Sequence, residues 1–144
     1  MKFLHLLLLT AALAVGCDVK TNVAVTSAPD EAKTKEVLDH HWATFQTNDL
    51  DGVMADYSDE SILITPDRTF KGLTEIRENF VGAFKAFPKD STAIKLNKSV
   101  ILQDVAYIIW EASGPKVKIS YGTDTFIIRG GKIVRQTYAG VTAP

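Results

Sequence analysis

The fold is decided by residues 105–142, which read VAYIIWEASGPKVKISYGTDTFIIRGGKIVRQTYAGVT. Long runs rich in Val, Ile, Tyr, Thr and Phe alternate in this stretch with two short joints, Gly114-Pro115 and Gly130-Gly131. Residues that are β-branched or aromatic favour strands, and a Gly-Gly pair between two such runs is typical of a β-hairpin. The stretch therefore predicts three consecutive antiparallel strands, at residues 105–113, 116–129 and 132–142.

The sequence before these strands predicts three helices and three further strands. Apolar side chains recur every three or four residues between Val37 and Phe45, which is the period of one helix face. We expect this helix to begin near Pro29, because Ser27 and Asp30 suit its N-terminal cap. The other predicted elements are a short helix at 52–57 capped by Asp51, strands at 61–65 and 69–71, a helix from Gly72 that stops at Pro88, and a strand at 92–103. Helices first and strands last indicate an α+β fold, with the helices on one face of an antiparallel sheet.

Three stretches of the chain resemble the nuclear transport factor 2-like, or SnoaL-like, superfamily. They are residues 45–52 (FQTNDLDG), residues 57–76 with their YSDES, Thr-Pro and KGLTEI segments, and residues 122–134 with GTDTF and GGKIV. The resemblance implies a homodimer and a cone-shaped roll of cystatin-like architecture, in which a curved sheet wraps around the helices and leaves a pocket at the open end. Isomerases, dehydratases, cyclases, hydrolases and binding proteins share this fold, so the pocket residues have to decide the function.

Strand alternation predicts which side chains enter this pocket. Successive side chains of a strand point to opposite faces of the sheet, and Trp110 has the parity of the inner face. Phe126 requires the core, and the same parity brings Asp124 inward. The remaining candidates follow from the parity of the last strand and from the apolar stripe of the first helix. The predicted pocket residues are His41, Trp110, Asp124, Gln136, Tyr138 and, by the resemblance, Thr65.

His41 and Asp124 are the candidate catalytic pair. A buried carboxyl group either finds a partner or stays protonated, and either state can be used chemically. Asp124 could orient the His41 imidazole, which would then act as a general acid or base. The alternative is that the two side chains form only a buried hydrogen bond that stabilises the cone.

The resemblance extends to individual positions of the ketosteroid isomerases within the superfamily. Asp124 matches the late-strand aspartate of their oxyanion hole, and His41 stands in place of its tyrosine. Their general-base aspartate falls on Thr65, whose hydroxyl group cannot abstract a proton near neutral pH. This difference argues against steroid isomerase chemistry.

The first seventeen residues, MKFLHLLLLTAALAVGC, form a separate segment. A basic start, an apolar run and small residues are typical of a secretory signal, and residues 13–17 resemble the lipobox of bacterial lipoproteins. In that family the cysteine is acylated and becomes the mature N-terminus. We therefore predict a lipoprotein signal peptide at 1–16, lipidation at Cys17, a flexible tether at 17–28 and a SnoaL-like domain at 29–144. The alternative is an ordinary secretory signal or a short anchor helix.

Composition and charge narrow the class of protein further. The chain has 144 residues, which suits one domain, and its formal charge of −1 argues against a nucleic-acid binder. The single cysteine excludes a disulfide framework and a cysteine-rich metal site. Adjacent His40 and His41 have the wrong spacing for helical metal chelation. We expect no metal and no cofactor.

The sequence is consistent with two functions of different classes. The first is an envelope lipoprotein, anchored to a bacterial membrane, whose pocket binds a small hydrophobic molecule or whose outer sheet face binds a protein partner. The side chains expected on that outer face are Tyr107, Ile109, Ile119, Tyr121 and Ile127. The second is an enzyme of the isomerase, dehydratase or hydrolase type, which requires His41 and Asp124 within hydrogen-bond reach.

Overall fold

Three helices and six strands make up residues 29–143, the part of the chain that the computed structural model describes. The predicted signal peptide, Cys17 and the tether lie outside the described residues. The helices are α1 (Glu31–Gln46), α2 (Leu50–Ala55) and α3 (Gly72–Ala86). The strands are β1 (Ile62–Ile64), β2 (Thr69–Lys71), β3 (Ala93–Leu102), β4 (Val105–Ser113), β5 (Lys118–Arg129) and β6 (Lys132–Thr142).

All six strands of the described residues join one sheet, in the order β2-β1-β6-β5-β4-β3. β1 runs parallel to β6, and every other neighbouring pair is antiparallel. Register shifts interrupt the pairing of β3 with β4, of β4 with β5 and of β5 with β6. Such bulges bend strands and strengthen their twist, so the sheet curves around the helices. The predicted α+β fold, with a curved sheet packed on N-terminal helices, is confirmed.

Two aspartates cap the first two helices. The side chain of Asp30 accepts a hydrogen bond from the Lys33 amide at 3.1 Å, as the sequence predicts for the start of α1. The predicted cap of α2 at Asp51 is wrong, because Asp49 caps the helix by accepting from the Gly52 amide at 2.9 Å. Asn48, with a φ of 53°, turns the chain so that the aspartate beside it reaches the helix end. Asp51 instead lies in the first turn and pairs with Arg77.

The core lies between the helices and the concave face of the sheet. Ile76 and Phe80 of α3 and Leu38 of α1 are buried against this face, where Ile108 and Phe126 are buried as well. Along β4 the exposure alternates strictly, with every second side chain buried, as the strand pattern predicts. The inner face of β4 and β5 is therefore available to build a pocket.

The sequence misplaces one residue of the outer face and the start of β5, while the predicted ends of β1 and β3 differ by one residue each. Ile119 is buried, because a register shift between Ile119 and Tyr121 reverses the alternation at that point of β5. β5 begins at Lys118 rather than at residue 116, since the Gly114 amide donates to the Val117 carbonyl oxygen at 3.1 Å and closes a turn. The other residues expected on the outer face, Tyr107, Ile109, Tyr121 and Ile127, are partly or fully exposed.

Candidate functional site

A cavity of about 430 Å³ opens between α1, α3 and the concave face of the sheet. Its wall contains the aromatic side chains of Trp42, Phe45, Phe87, Trp110, Phe126 and Tyr138. All six sequence-predicted pocket residues, His41, Thr65, Trp110, Asp124, Gln136 and Tyr138, border this cavity. Strand parity and the helical stripe therefore identify the faces correctly.

Glycines on β5 and β6 make room for two of the aromatic rings. Gly122 and Gly140 are partners across the two strands, and Trp110 is the partner of Gly122 on β4. A Cβ at Gly122 would lie 2.7 Å from Trp110 Cε2, and one at Gly140 would overlap the Tyr138 hydroxyl group. Trp110 and Tyr138 stack over this bare strip with their ring centroids 5.9 Å apart. The strip fixes the large flat wall of the pocket.

Asp124 is held by two neutral donors from neighbouring strands. Trp110 Nε1 donates to Oδ2 at 2.7 Å, and Gln136 Nε2 donates to Oδ1 at 2.8 Å. The Tyr57 hydroxyl group donates to Gln136 Oε1, which fixes the amide so that its nitrogen faces the carboxyl group. The four side chains linked in this way, Trp110, Asp124, Gln136 and Tyr57, are all buried.

Burial dominates the electrostatics of this network. It raises the pKa of Asp124 above its ordinary value of 3.8, although the hydrogen bonds from Gln136 and Trp110 and the charge of His41 act in the opposite direction. Burial also raises the pKa of Tyr57 well above its ordinary range, with smaller contributions from Asp124 and Asp56. The pKa of Tyr138 is raised by burial and then by Asp124. The network therefore resists carrying a negative charge.

His41 lies on the same cavity but has a different partner from the predicted one. Among residues 29–143, no hydrogen bond joins His41 to Asp124, whose oxygens are bonded to Trp110 and Gln136. His41 Nδ1 instead lies 3.5 Å from Oδ2 of Asp56, a buried residue. The hydrogen-bonded His41–Asp124 pair predicted from the sequence is therefore not formed, because the sheet supplies donors to Asp124 and the helices supply a carboxylate to His41.

Sequence reasoning missed Asp56 and Tyr57 as site residues. Both follow α2, and the Asp56 carbonyl oxygen accepts from the Ile133 amide at 2.8 Å, which ties this corner to β6. Neither residue belongs to a long stripe of periodic apolar residues, so hydrophobic periodicity does not predict that their side chains point inward. The available signal is the helical spacing of Tyr57 from the buried Val53 and Met54.

The remaining predicted residue, Thr65, is part of the rim. Its hydroxyl group donates to the Arg68 carbonyl oxygen at 3.0 Å and accepts from the Arg68 amide at 3.2 Å, so it closes the turn between β1 and β2. Pro66 and Asp67 of the same turn are exposed and also border the cavity. Thr65 contributes to the shape of the entrance, with its hydrogen-bonding groups engaged locally.

Two further properties concern metals and membranes. Within residues 29–143, no cluster of three or more His, Cys, Asp or Glu side chains has the arrangement of a metal site. No helix in that part of the chain combines the length and apolar character that crossing a membrane requires.

Known proteins with similar sequence or structure agree with this architecture. A solved NTF2-like protein of unknown function from Burkholderia xenovorans is 19% identical, with a TM-score of 0.65 over 79% of this chain and 89% of that one. A candidate ketosteroid isomerase from Kribbella flavida is 12% identical, with a TM-score of 0.67 over 81% and 83%. A candidate polyketide cyclase from Sinorhizobium meliloti is 20% identical, with a TM-score of 0.63 over 72% and 94%. At these identities the likeness shows the fold alone.

The sequence itself gives the family. No curated protein matches the chain. Residues 38–136, which are more than half of the chain and include α2, α3, β1 to β5 and parts of α1 and β6, match the family model of the SnoaL-like domain. The chain therefore belongs to the SnoaL-like domain family.

Proposed function

We propose that the domain binds a small, uncharged and largely apolar molecule in its cone pocket. The observation that carries this proposal is the cavity of about 430 Å³, whose wall is rich in aromatic side chains. Ligand sites of this kind combine an apolar lining with a few polar groups that fix the orientation of the ligand. Here those groups are supplied by His41 and Tyr138.

The charges of the pocket favour an uncharged ligand. Asp67 and Asp124 border the cavity, whereas no lysine or arginine does so among the described residues. Transfer of a carboxylate ligand from water into this cavity would cost free energy, because its charge would lose its hydration and gain no lysine or arginine partner from the part of the chain that the structure describes. A cationic ligand would need a free carboxylate, but both oxygens of Asp124 already accept hydrogen bonds and its pKa is raised by burial.

An acid–base enzyme is the second candidate function, of the isomerase, dehydratase or hydrolase type. The observation in its favour is the His41 imidazole on the cavity wall, because imidazole exchanges protons near neutral pH. Two structurally similar proteins are described as a candidate isomerase and a candidate cyclase. Binding remains the leading proposal, since Asp124, the other polar group deep in the pocket, is bonded on both oxygens.

We test binding with two aromatic compounds that differ in charge, 2-naphthol and 2-naphthoate. Both tryptophans of the chain, Trp42 and Trp110, border the cavity, so tryptophan emission reports its occupancy. Near neutral pH, 2-naphthol should change the emission saturably, and 2-naphthoate should bind about tenfold more weakly or worse because its charge is desolvated. Tighter binding of the naphthoate would overturn the proposed preference for uncharged ligands.

A pair of matched variants shows whether the compound enters the cavity. Ala83→Phe places a ring in the cavity wall, whereas Ala139→Phe makes the same substitution on the exposed outer face. We expect Ala83→Phe to abolish the saturable change in tryptophan emission on addition of 2-naphthol, and Ala139→Phe to retain it. Equal binding by the two variants would contradict a ligand site in the cone.

We further propose that acylated Cys17 holds this domain on a bacterial membrane, at the periplasmic side or the cell surface. The support is the signal-like pattern of residues 1–17 and the position of the only cysteine directly after it. Each methylene group that enters the membrane adds affinity, so two or more acyl chains anchor a protein stably. Cys17→Ser should move the protein from the membrane fraction to the soluble fraction and abolish labelling by a clickable fatty acid. Unchanged labelling would exclude lipidation at this residue.

A homodimer is a separate proposal. The outer sheet face carries the exposed apolar side chains of Val100, Leu102, Tyr121 and Val141, which a second copy of the chain would cover. Light scattering of the full chain should give twice the monomer mass. A monomer would contradict this proposal and leave the pocket proposal intact.

A further inference from the structure

The side chain of Asp56 lies between two neighbouring histidines of α1, directly behind the pocket. Its Oδ1 is 2.8 Å from His40 Nδ1, and its Oδ2 is 3.5 Å from His41 Nδ1. The three side chains differ in exposure, since the His40 side chain is 50% exposed while those of Asp56 and His41 are 8% and 5% exposed. The cluster therefore extends from the surface to the ring that borders the cavity.

Asp56 determines which nitrogen of His41 carries the proton. An ionised carboxylate only accepts hydrogen bonds, so the nitrogen that faces it has to be the donor. His41 Nδ1 and Asp56 Oδ2 are both buried, and neither has a hydrogen-bond partner among residues 29–143. The two atoms face each other at 3.5 Å, which is longer than an ordinary N–H···O hydrogen bond. A proton on Nδ1 is therefore attracted by this carboxylate oxygen, so we expect the neutral His41 imidazole to carry its proton there.

This tautomer leaves the second nitrogen of His41 as an acceptor. Nε2 makes no hydrogen bond to any residue that the structure describes, and the ring borders the cavity. The rings of Tyr57, Phe80 and Phe126 surround the imidazole edge-on, with centroids 5.6, 5.7 and 5.3 Å away. They hold the ring in place, so its orientation is set by the packing and by Asp56 together.

We propose that Asp56 is a positioning residue that makes His41 Nε2 a hydrogen-bond acceptor in the pocket, selecting an aromatic or conjugated ligand with a hydroxyl group, which is a phenol or an enol. This inference rests on the proposed binding function and adds the ligand's chemical class. The aromatic wall takes the flat ring, and the acceptor takes the hydroxyl hydrogen. A carboxylic acid would also meet the acceptor, but it is ionised near neutral pH and lacks a cationic partner there.

The tautomer can be measured without a ligand. In long-range ¹H–¹⁵N spectra of the uniformly labelled full chain above neutral pH, His41 should show a protonated Nδ1 and an unprotonated Nε2. Asp56→Ala removes the acceptor, so the proton should move to Nε2, where it avoids an unpaired buried Nδ1–H. A wild-type His41 with its proton on Nε2 would overturn the inference, whatever the variant does.

Binding measurements then test the ligand class with 2-naphthol and 2-methoxynaphthalene, which share the ring system and differ in the hydroxyl hydrogen. The wild-type protein should bind 2-naphthol about three- to tenfold more tightly, the value of one hydrogen bond. Asp56→Ala should bring the two affinities together by weakening only 2-naphthol. A preference for 2-naphthol that survives in Asp56→Ala would show that His41 is not the acceptor that Asp56 positions.

Asp104→Ala is the matched control. Asp104 is a partly buried carboxylate paired with Arg129 at 2.8 Å, and it does not border the cavity. This variant should keep the wild-type preference and the wild-type His41 tautomer. Equal wild-type binding of the two naphthalenes would overturn the hydroxyl preference alone. Absence of binding for both would contradict the proposed function and, with it, the ligand class, while the tautomer measurement still decides the role of Asp56.

Discussion

Two buried aspartates flank the pocket, and their surroundings differ in kind. Asp124 lies on β5 and accepts from Trp110 and Gln136, two side chains that keep their protons over the whole physiological pH range. Asp56 follows α2 and faces His40 and His41, whose ring nitrogens donate or accept a hydrogen bond according to the tautomer. Both carboxyl groups are shielded from solvent, so burial alone does not distinguish their roles.

The difference lies in what each carboxyl group leaves open. Each oxygen of Asp124 accepts one short hydrogen bond, and the two bonds tie three strands of the sheet together. Asp56 makes one short hydrogen bond, to the surface side, and one long contact to His41. The first arrangement stabilises the cone wall, while the second leaves a ring nitrogen available to a ligand. The role of a buried carboxyl group therefore depends on which side chains it contacts and on what those contacts leave available to a ligand.

Removal of the Asp124 carboxyl group should cause the largest loss of stability in this comparison. Asp124→Ala leaves Trp110 Nε1 and Gln136 Nε2 without their acceptor, and each unpaired buried donor costs about 1–3 kcal/mol. We expect the free energy of unfolding to fall by about 2–4 kcal/mol, since water in the cavity can satisfy one donor in part. Urea denaturation followed by circular dichroism measures this loss.

Thr125→Ala is the control for this measurement. Thr125 is the next residue of β5 with the opposite parity, so its side chain lies on the outer face. Its substitution should change the free energy of unfolding by less than about 0.5 kcal/mol. A loss for Asp124→Ala as small as that of the control would mean that the two donors have equally good partners without the carboxyl group.

The sequence predicts Asp124 but not Asp56, and the reason is physical. Asp124 lies in a long strand whose alternation of two residues assigns it to the same face as Phe126, so one local rule determines its direction. Asp56 lies in the turn after a six-residue helix, where no period applies. Its approach to His40 and His41 is a contact between two helices, which depends on how they pack rather than on either segment.

The same distinction explains the remaining errors. The outer position of Ile119 follows from alternation, but a bulge in β5 shifts the parity, and the sequence carries no clear sign of that bulge. The positions of the strands along the chain, the helix stripes and five of the pocket faces depend on periodic patterns and are predictable. The predicted link from His41 to Asp124 required the direction of two side chains across the cavity, which competing donors on neighbouring strands determine.

Removal of the Asp56 carboxyl group should lower the free energy of unfolding by less than removal of the Asp124 carboxyl group does. Asp56→Ala deletes one short hydrogen bond to His40, whose side chain is half exposed and can bond to water instead. We expect the free energy of unfolding to fall by about 1 kcal/mol, the net value of one hydrogen bond. The comparison with Asp124→Ala under the same urea conditions measures the difference. A loss as large as that of Asp124→Ala would show that Asp56 is mainly a structural residue.

The smallest effect concerns the pH dependence of stability at Asp124. Burial raises the pKa of this carboxyl group in the folded state above 3.8, so the folded chain binds the proton more tightly than the unfolded chain does. The resulting stabilisation is present below the unfolded pKa and is lost as the pH rises through the raised folded pKa. Asp124→Asn cannot titrate and lacks this dependence.

We therefore expect wild-type stability, relative to Asp124→Asn, to be greatest at the acidic end and to decline as the pH rises above about 4. Urea denaturation of both proteins over a series of pH values measures the difference, from which the other carboxyl groups cancel. A relative wild-type stability that rises with pH would mean that the donors from Trp110 and Gln136 outweigh burial. In that case the preference of the pocket for uncharged ligands would have to come from its aromatic side chains and from the lack of lysine and arginine around it among the described residues.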